Sequence, residues 1–240
     1  MELIKIDEKY FLHKKVQNIL MVVTTANTDF GIHPKFDNYK ENMDFIKKSF
    51  GLSEIYTVSQ THSDIVHVCD EDFVSRVEGD GLITTQKNRA VGVFTADCVP
   101  IFLFDENKGI VSAVHSGWKG VYNEIFLNAI DIFIQKYNSK AEDITIYIGP
   151  HNMKCCYEIQ DDLREKFLNH HRFKNNPNIF YGNNLNMIEC IKNSVVSKGI
   201  LEQNINLINY CTHCSNDVKF YSYRRDKESL NRIFSFIFIN

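Results

Sequence analysis

The 240-residue sequence lacks several features that would assign it to a special class of protein. It has no apolar run of the roughly 18 to 20 residues that a membrane-spanning helix needs, so we expect no membrane partner. Its first residues alternate charged and apolar side chains instead of forming the apolar core of a secretory signal, which predicts a cytoplasmic protein. It also has no internal repeat, low-complexity tract or proline- and glycine-rich linker. We therefore expect one domain over residues 1–240.

An excess of positive charge is missing as well. The formal net charge is -3 and the isoelectric point is near 6.3, so no surplus of cations is available to neutralise a phosphate backbone. This balance argues against nucleic acid and favours small-molecule partners. Hydrophobic residues make up 44% and charged residues 24%, which is typical of a folded protein. Nothing in the composition distinguishes a monomer from a homodimer.

Several common sequence motifs are absent. There is no Walker motif and no serine nucleophile elbow. The pair of glycines around Asp80 lacks the spacing of a phosphate-binding fingerprint, so it predicts a turn before a strand. The seven cysteines are an odd number in a sequence without an export signal, which favours free thiols over a disulfide framework.

Short runs rich in β-branched and aromatic residues recur along the sequence and predict about ten strands. The runs cover residues 18–25, 54–60, 65–69, 81–85, 90–95, 99–104, 110–114, 144–148, 218–223 and 233–239. The clearest helical pattern covers residues 121–137, with weaker patterns at 39–50, 159–168 and 185–197. Gly51 and Gly199 are suitable stops for two of these helices. This order predicts an α/β or α+β fold in which helices cover mixed sheets.

Reactive side chains follow or precede predicted strands at four places, residues 60–64, 95–100, 115–120 and 210–214. Among them, His62, Cys98 and His115 supply two imidazoles and one thiol. A catalytic zinc site uses three such protein ligands and leaves the fourth position open. The three residues are far apart in sequence, so the alternative of a buried cysteine and two hydrogen-bonded histidines stays open.

A Cys-x-x-Cys pair, Cys211 and Cys214, is half of a structural zinc site. No second pair lies at a suitable distance in the sequence, and the adjacent Cys155 and Cys156 cannot easily bridge to each other. We therefore expect these four residues to be ordinary thiols.

Other polar residues are candidates for weaker reasons. Asp97 is a candidate general acid or base if burial raises its pKa, although a hydrogen-bonded turn carboxylate is the common alternative. Arginines suited to bidentate anion contacts lie near the C-terminus, and a lysine lies at a predicted helix start. They are Lys119, Arg224, Arg225 and Arg232, and each has the ordinary alternative of a surface charge.

Seven short motifs follow one another between residues 60 and 226. They are Gln-Thr-His at 60–62, Gly-Asp-Gly at 79–81, Ala-Asp-Cys-Val-Pro at 96–100, His-Ser-Gly-Trp-Lys-Gly at 115–120, Ile-Gly-Pro at 148–150, Cys-Cys-Tyr-Glu at 155–158 and Tyr-Ser-Tyr-Arg-Arg-Asp at 221–226. In these segments the sequence resembles the polyphenol oxidase or laccase-like family, also called the YfiH-type or multi-copper polyphenol oxidase family. Its members are now regarded as purine nucleoside phosphorylases.

The resemblance implies a four-layer α/β/β/α sandwich with mixed sheets and a zinc ion, or alternatively copper, bound by His62, Cys98 and His115. The implied reaction is phosphorolysis of adenosine, inosine, guanosine or S-methyl-5'-thioadenosine to the base and a pentose 1-phosphate, with adenosine deamination as a second activity. We expect catalytic roles for Asp97, Cys98 and His115. For binding of nucleoside and phosphate we expect Lys119, Arg224 and Arg225. A multicopper phenol oxidase would need more clustered histidines.

The sequence departs from the family pattern at two places. Residues 22–28 contain no arginine where the family usually has one, and Asn231 precedes Arg232 where a glycine is common. A contact to the substrate or to phosphate is therefore expected to be missing. Alternatives that remain are a metal-free cysteine hydrolase with Cys98 as nucleophile and His115 or His62 as base, an amidase that edits peptidoglycan precursors, and a zinc-stabilised interaction protein without catalysis.

Overall fold

A computed structural model describes residues 1–27, 30, 32–69, 73–227 and 229–240. The strands in chain order are β1 (Glu2–Ile6), β2 (Lys9–Val16), β3 (Ile19–Thr24), β4 (Glu54–Tyr56), β5 (Val66–Val68), β6 (Gly81–Thr84), β7 (Arg89–Thr95), β8 (Val99–Asp105), β9 (Ile110–Ser116), β10 (Thr145–Ile148), β11 (Phe180–Tyr181), β12 (Asn184–Leu185), β13 (Ile205–Leu207) and β14 (Ile233–Ile239). The α-helices are α1 (Tyr39–Phe50), α2 (Trp118–Tyr122), α3 (Ile125–Tyr137), α4 (Asp161–Asn169) and α5 (Met187–Ser197). None of the helices described is long and apolar enough to cross a membrane.

The strands form two mixed six-stranded sheets. The first has the order β1-β2-β3-β14-β7-β4, and only its β4–β7 pair is parallel. The second has the order β13-β10-β8-β9-β6-β5, with parallel pairs at its two edges. Strand β14 joins β3 to β7 in the middle of the first sheet. Its run of isoleucine and phenylalanine is buried along its whole length because both faces of the sheet are covered.

Alternate residues of each strand enter different layers of the core. In β7, Val91 and Val93 point between the two sheets, whereas Ala90 and Phe94 point outward toward α1. On the other side, α3 and α5 cover the outer face of the second sheet. The order of layers is therefore helix, sheet, sheet and helix, which confirms the predicted four-layer α/β/β/α fold with mixed sheets.

Two predicted elements differ from the structure. Residues 218–223 form an irregular loop and not a strand. The predicted helix at 121–137 is divided into α2 and α3 because Glu124 has a left-handed backbone, with φ of 56°, which an α-helix cannot continue. The Glu124 carboxylate accepts a 2.5 Å hydrogen bond from Nε of Arg172, which lies after α4.

Strands β1 and β2 were missing from the prediction because they carry charged residues at their exposed positions. The β11, β12 and β13 strands are too short to leave a pattern in the sequence. Thr28, which ends the segment where the family arginine is missing, lies outside the described residues.

Candidate metal centre and its cavity

The three predicted metal ligands lie on three separate segments that meet at one end of the central strands of the second sheet. His62 is in the loop between β4 and β5, Cys98 directly precedes β8, and His115 is near the end of β9. The pairing of β8 with β9 brings Cys98 beside the end of β9. Nε2 of His62 is 3.8 Å from Sγ of Cys98, and the two imidazole rings are 4.9 Å apart. All three donor atoms lie within 4.8 Å of one another.

The buried carboxylate of Asp80 connects the two histidine segments. Its Oδ1 is 2.7 Å from Nδ1 of His115. Its Oδ2 accepts hydrogen bonds from the backbone N–H groups of Thr61 and Ser63, at 3.1 and 2.6 Å, and from the Ser63 hydroxyl at 2.7 Å. Because Thr61 and Ser63 flank His62, one carboxylate fixes both histidines. With Nδ1 of His115 bound in this way, its Nε2 is left to face Cys98.

Sequence reasoning treated Asp80 only as part of a turn and missed this role. The signal available was an acidic residue between two glycines, just before an apolar strand. Burial alone would raise the pKa of Asp80, but the hydrogen bonds with His115 and Ser63 lower it below its ordinary value. The carboxylate is therefore ionised where it supports His115.

Two further residues allow the segments to approach closely. The side-chain amide of Gln60 pairs with the backbone of Phe94 in both directions, at 2.7 Å each, and so attaches the His62 loop to β7. Gly117 lies against the donors. A Cβ atom at this position would lie 2.9 Å from Cδ2 of His62 and 3.0 Å from Sγ of Cys98, so a larger residue would disturb the site.

The backbone at the site is held in unusual conformations. His62 has a φ of 59° and Asp97 a φ of 92°, both in the region that favours glycine. The surrounding hydrogen bonds must outweigh the cost of these conformations, of order 1–3 kcal/mol each. Such strain is typical of functional sites.

The electrostatics of the site favour a thiolate. Burial alone would raise the pKa of Cys98, but the facing imidazole of His115 and the hydrogen bonds with both histidines lower it to about 6. Burial would also lower the pKa of His115, whereas the Cys98 thiolate and the Asp80 carboxylate raise it to about 9. The metal-free site is thus a thiolate facing an imidazolium, and binding of a metal would release the imidazolium proton.

The donor set suits a zinc ion. In tetrahedral coordination, with Zn–S near 2.3 Å and Zn–N near 2.0–2.1 Å, a sulfur and a nitrogen ligand lie about 3.6 Å apart. The separation of 3.8 Å between Cys98 and His62 is close to this value. Three protein ligands leave one position for a substrate or water, as in catalytic zinc sites.

The three donors line one wall of a cavity of about 600 Å³, which is a usual size for a small-molecule site. Three cationic side chains, Lys35, Arg76 and Arg232, also line it. Phe94 and Tyr223 add aromatic surface. The sequence suggested Arg232 as an anion contact, but it gave no signal for Lys35 and Arg76, which resemble any surface cation.

Asp97 does not line this cavity. Its Oδ1 accepts a 2.7 Å hydrogen bond from Oγ1 of Thr212, and its Oδ2 accepts one of 2.7 Å from the backbone N–H of Arg224. These contacts connect the residue before Cys98 to two loops near the C-terminus. They are the contacts of a positioning residue, so the proton-transfer role expected for Asp97 stays a prediction.

The cations predicted to bind substrate also lie elsewhere. Lys119 has its Nζ 5.8 Å from the ring of Trp118, and Arg224 stacks on Tyr157 at 4.6 Å beside a second cavity. The guanidinium of Arg225 is fully engaged within the protein. It donates to the backbone oxygens of Thr212, His213 and Phe220 and to the carboxylate of Asp226. None of the three lines the cavity that contains the metal donors.

The charge state of Cys98 can be tested in metal-free protein. We expect its alkylation by iodoacetamide to increase with pH through a midpoint near 6, because the thiolate is the reactive form. Peptide mass spectrometry distinguishes Cys98 from the other cysteines. In His115→Asn the midpoint should move upward because the facing imidazolium is gone. A wild-type midpoint near the ordinary value of about 8.5 would contradict the ion pair.

The support from Asp80 can be tested with a second variant. In Asp80→Asn we expect the zinc concentration that protects Cys98 from alkylation to increase about 10- to 100-fold, which is the usual effect of removing a group that orients a metal ligand. Asp105→Asn is a matched control, because Asp105 is also fully buried but accepts its hydrogen bond from the backbone of Lys108. Equal protection in both variants would show that Asp80 does not orient His115.

Three relatives show what this chain is similar to in sequence. A purine nucleoside phosphorylase of Clostridium acetobutylicum is 38% identical over 237 residues, which is 99% of each chain. One of Borreliella burgdorferi is 31% identical over 92% of this chain and 93% of its own. A protein named adenosine deaminase RL5, from an unknown prokaryote, is 30% identical over 78% of this chain and 76% of its own.

A solved structure and a family model also match this chain. The crystal structure of the hypothetical protein YfiH of Bacillus licheniformis superimposes with a TM-score of 0.85 at 24% identity, covering 92% of this chain and 93% of that chain. The model of the family described as multi-copper polyphenol oxidoreductase laccase matches residues 17–240. The chain therefore belongs to the multi-copper polyphenol oxidoreductase laccase family.

Proposed function

We propose that the chain is a zinc-dependent purine nucleoside phosphorylase that acts on adenosine, inosine, guanosine and S-methyl-5'-thioadenosine. The observation that carries the proposal is that the cavity combines a metal donor set with three cations and aromatic surface. The aromatic surface suits a purine ring, and the cations suit a phosphate ion. The names of the phosphorylase relatives support the choice of reaction.

The phosphate ion would bind to the cationic side of the cavity. Arg76 and Arg232 offer planar guanidinium groups suited to bidentate contacts with phosphate oxygens, and Lys35 adds a point charge. Arg232 is half-buried and donates to the backbone oxygen of Asn231 at 2.9 Å, which restricts its side chain. These cations would supply the contact that is expected to be missing from residues 22–28.

The purine would lie on the aromatic surface of the same cavity. Tyr223 is 60% exposed, so its ring is free to stack on a base. Phe94 is held in place by stacking on Phe234, with ring centroids 4.8 Å apart. This arrangement would present the anomeric carbon of the sugar to the phosphate that the cations bind.

In phosphorolysis a phosphate oxygen forms a bond to the anomeric carbon while the bond from that carbon to the purine nitrogen breaks. The bonding electrons leave with the purine, which takes up the proton that the attacking hydrogen phosphate loses. A zinc ion at His62, Cys98 and His115 would supply a Lewis acid at the wall of the cavity. The cations orient the attacking phosphate, and Asp97 would hold the Cys98 loop in position through Thr212 and Arg224.

Adenosine deamination is a second activity that we propose for the same cavity. The relative named adenosine deaminase RL5 supports it. In this reaction water would replace the amino group of the purine, and ammonia would leave. The base would therefore remain attached to the sugar, which separates the two reactions in a product analysis.

A metal-free cysteine hydrolase is the alternative that one observation favours. Cys98, His115 and Asp80 are arranged in the order nucleophile, base and orienting group, and His115 as the base has already taken the thiol proton. A hydrolase of this kind would act without added metal. A substrate-like electrophile would modify Cys98 and inactivate the enzyme. The phosphorylase would lose activity when zinc is removed and regain it when zinc is restored.

The proposal can be tested with purified, zinc-loaded protein. We expect base release from inosine and adenosine to require phosphate. In Arg232→Met the KM for phosphate should increase about 10- to 150-fold, because a charge-assisted hydrogen bond contributes about 1.5–3 kcal/mol. Arg164→Met is a matched control, since Arg164 lies on α4 and donates to the backbone of Gly182.

Two results would contradict the proposal. One is the absence of base release from every purine nucleoside in zinc-loaded protein. The other is base release at the same rate with and without phosphate, which would indicate hydrolysis.

A further inference from the structure

Four cysteines outside the cavity lie together, contrary to the expectation that Cys211 and Cys214 have no second pair. The sulfur atoms of Cys155, Cys156, Cys211 and Cys214 lie within 4.8 Å of one another. Sequence spacing typical of zinc fingers gave no sign of this second pair, because the fold brings in two adjacent cysteines from about 55 residues away.

Two loops that run side by side hold these cysteines. Cys155 and Cys156 lie in the loop after β10, and Cys211 and Cys214 in the turn after β13. His151 pairs with Cys211 across the two loops, and the backbone N–H of Thr212 donates to the backbone oxygen of His151 at 3.0 Å. The contacts do not depend on the cysteine side chains, so the four thiols are brought together by the backbone.

The separations of the sulfur atoms are compatible with a tetrahedral metal site. A zinc ion with Zn–S distances near 2.3 Å separates its sulfur ligands by about 3.8 Å. Sγ of Cys155 and Sγ of Cys214 are 3.6 Å apart. Cys211 is buried and Cys155 and Cys214 are exposed, so the cluster lies at the surface with its base in the core.

The surroundings of Cys211 favour a thiolate. Backbone N–H groups of Met153, His213 and Cys214 donate hydrogen bonds to its sulfur. Backbone donors directed at a cysteine sulfur stabilise its negative charge.

A buried amide beside Cys211 gives an independent indication. Asn152 is fully buried, its Nδ2 has no hydrogen-bond partner, and its Oδ1 is 4.0 Å from Sγ of Cys211. The two ends of an asparagine amide are assigned from their hydrogen bonds, and an exchange here would direct the unpartnered N–H groups at the sulfur. The amide would then donate to a thiolate, as groups around metal ligands do.

A divalent cation among the four sulfur atoms would offset the repulsion between their charges and bind them as thiolates.

We propose that Cys155, Cys156, Cys211 and Cys214 bind one zinc ion in a closed, structural site that is separate from His62, Cys98 and His115. Four protein ligands leave no open position, which is the property of structural rather than catalytic zinc. The site would fix the turn that carries Thr212. Because Oγ1 of Thr212 donates to Asp97, it would also support the residue next to Cys98.

The first test counts zinc in a variant that leaves the four cysteines intact. His62→Ala combined with Cys98→Ser removes two donors of the cavity site. We expect two zinc ions per chain in wild-type protein and one in this double variant, measured by elemental analysis of protein shown to be folded by circular dichroism. A folded double variant without zinc would overturn the proposal, as would a disulfide within the cluster in place of metal.

The second test identifies the ligands. In the double variant loaded with Co²⁺, we expect the strong thiolate-to-cobalt absorption of a four-sulfur site, and Cys214→Ser in that background should reduce its intensity by about a quarter or abolish binding. Cys190→Ala is the control, because Cys190 is a buried thiol on α5 outside the cluster, and it should leave the spectrum unchanged. A spectrum without thiolate absorption, or equal loss in Cys190→Ala, would overturn the assignment.

Discussion

The hydrogen bonds of the buried Asp80 carboxylate are the interactions on which the candidate metal centre depends. A carboxylate that is removed from water must have partners for both oxygens. Here one oxygen holds the imidazole of His115, and the other holds the backbone on both sides of His62. The cost of burying the charge is therefore offset by the same contacts that bring the two histidines to Cys98. A single group fixes the positions of ligands that are 53 residues apart in the chain.

The sheets supply the rigid part of the site. Strands β8 and β9 pair along their whole length and are buried between two layers, so Cys98 and His115 cannot separate without breaking the core. Gln60 attaches the more exposed His62 loop to β7. The cations of the cavity, by contrast, come from loops. Lys35 and Arg76 are exposed, as residues of surface loops usually are.

The sequence predicted those parts of the molecule that local patterns determine. Helix α1 and strand β14 have the predicted bounds, because helical periodicity and a continuous apolar run are local signals. The three donors of the candidate site were named from their residue types and from the family motifs. The role of Asp80 was not predicted, because it depends on the contact between β9 and a distant loop. The four-cysteine cluster and two of the three cavity cations, Lys35 and Arg76, were missed for the same reason, since tertiary contacts alone bring them together.

The central claim is that His62, Cys98 and His115 bind one metal ion on a frame held by Asp80. X-ray diffraction from crystals of zinc-loaded protein, recorded on both sides of the zinc absorption edge, tests it most directly. The account predicts a zinc difference peak bonded to Nε2 of His62, Sγ of Cys98 and Nε2 of His115, with Nδ1 of His115 on Asp80. A fully loaded crystal with no peak among these three side chains would contradict it.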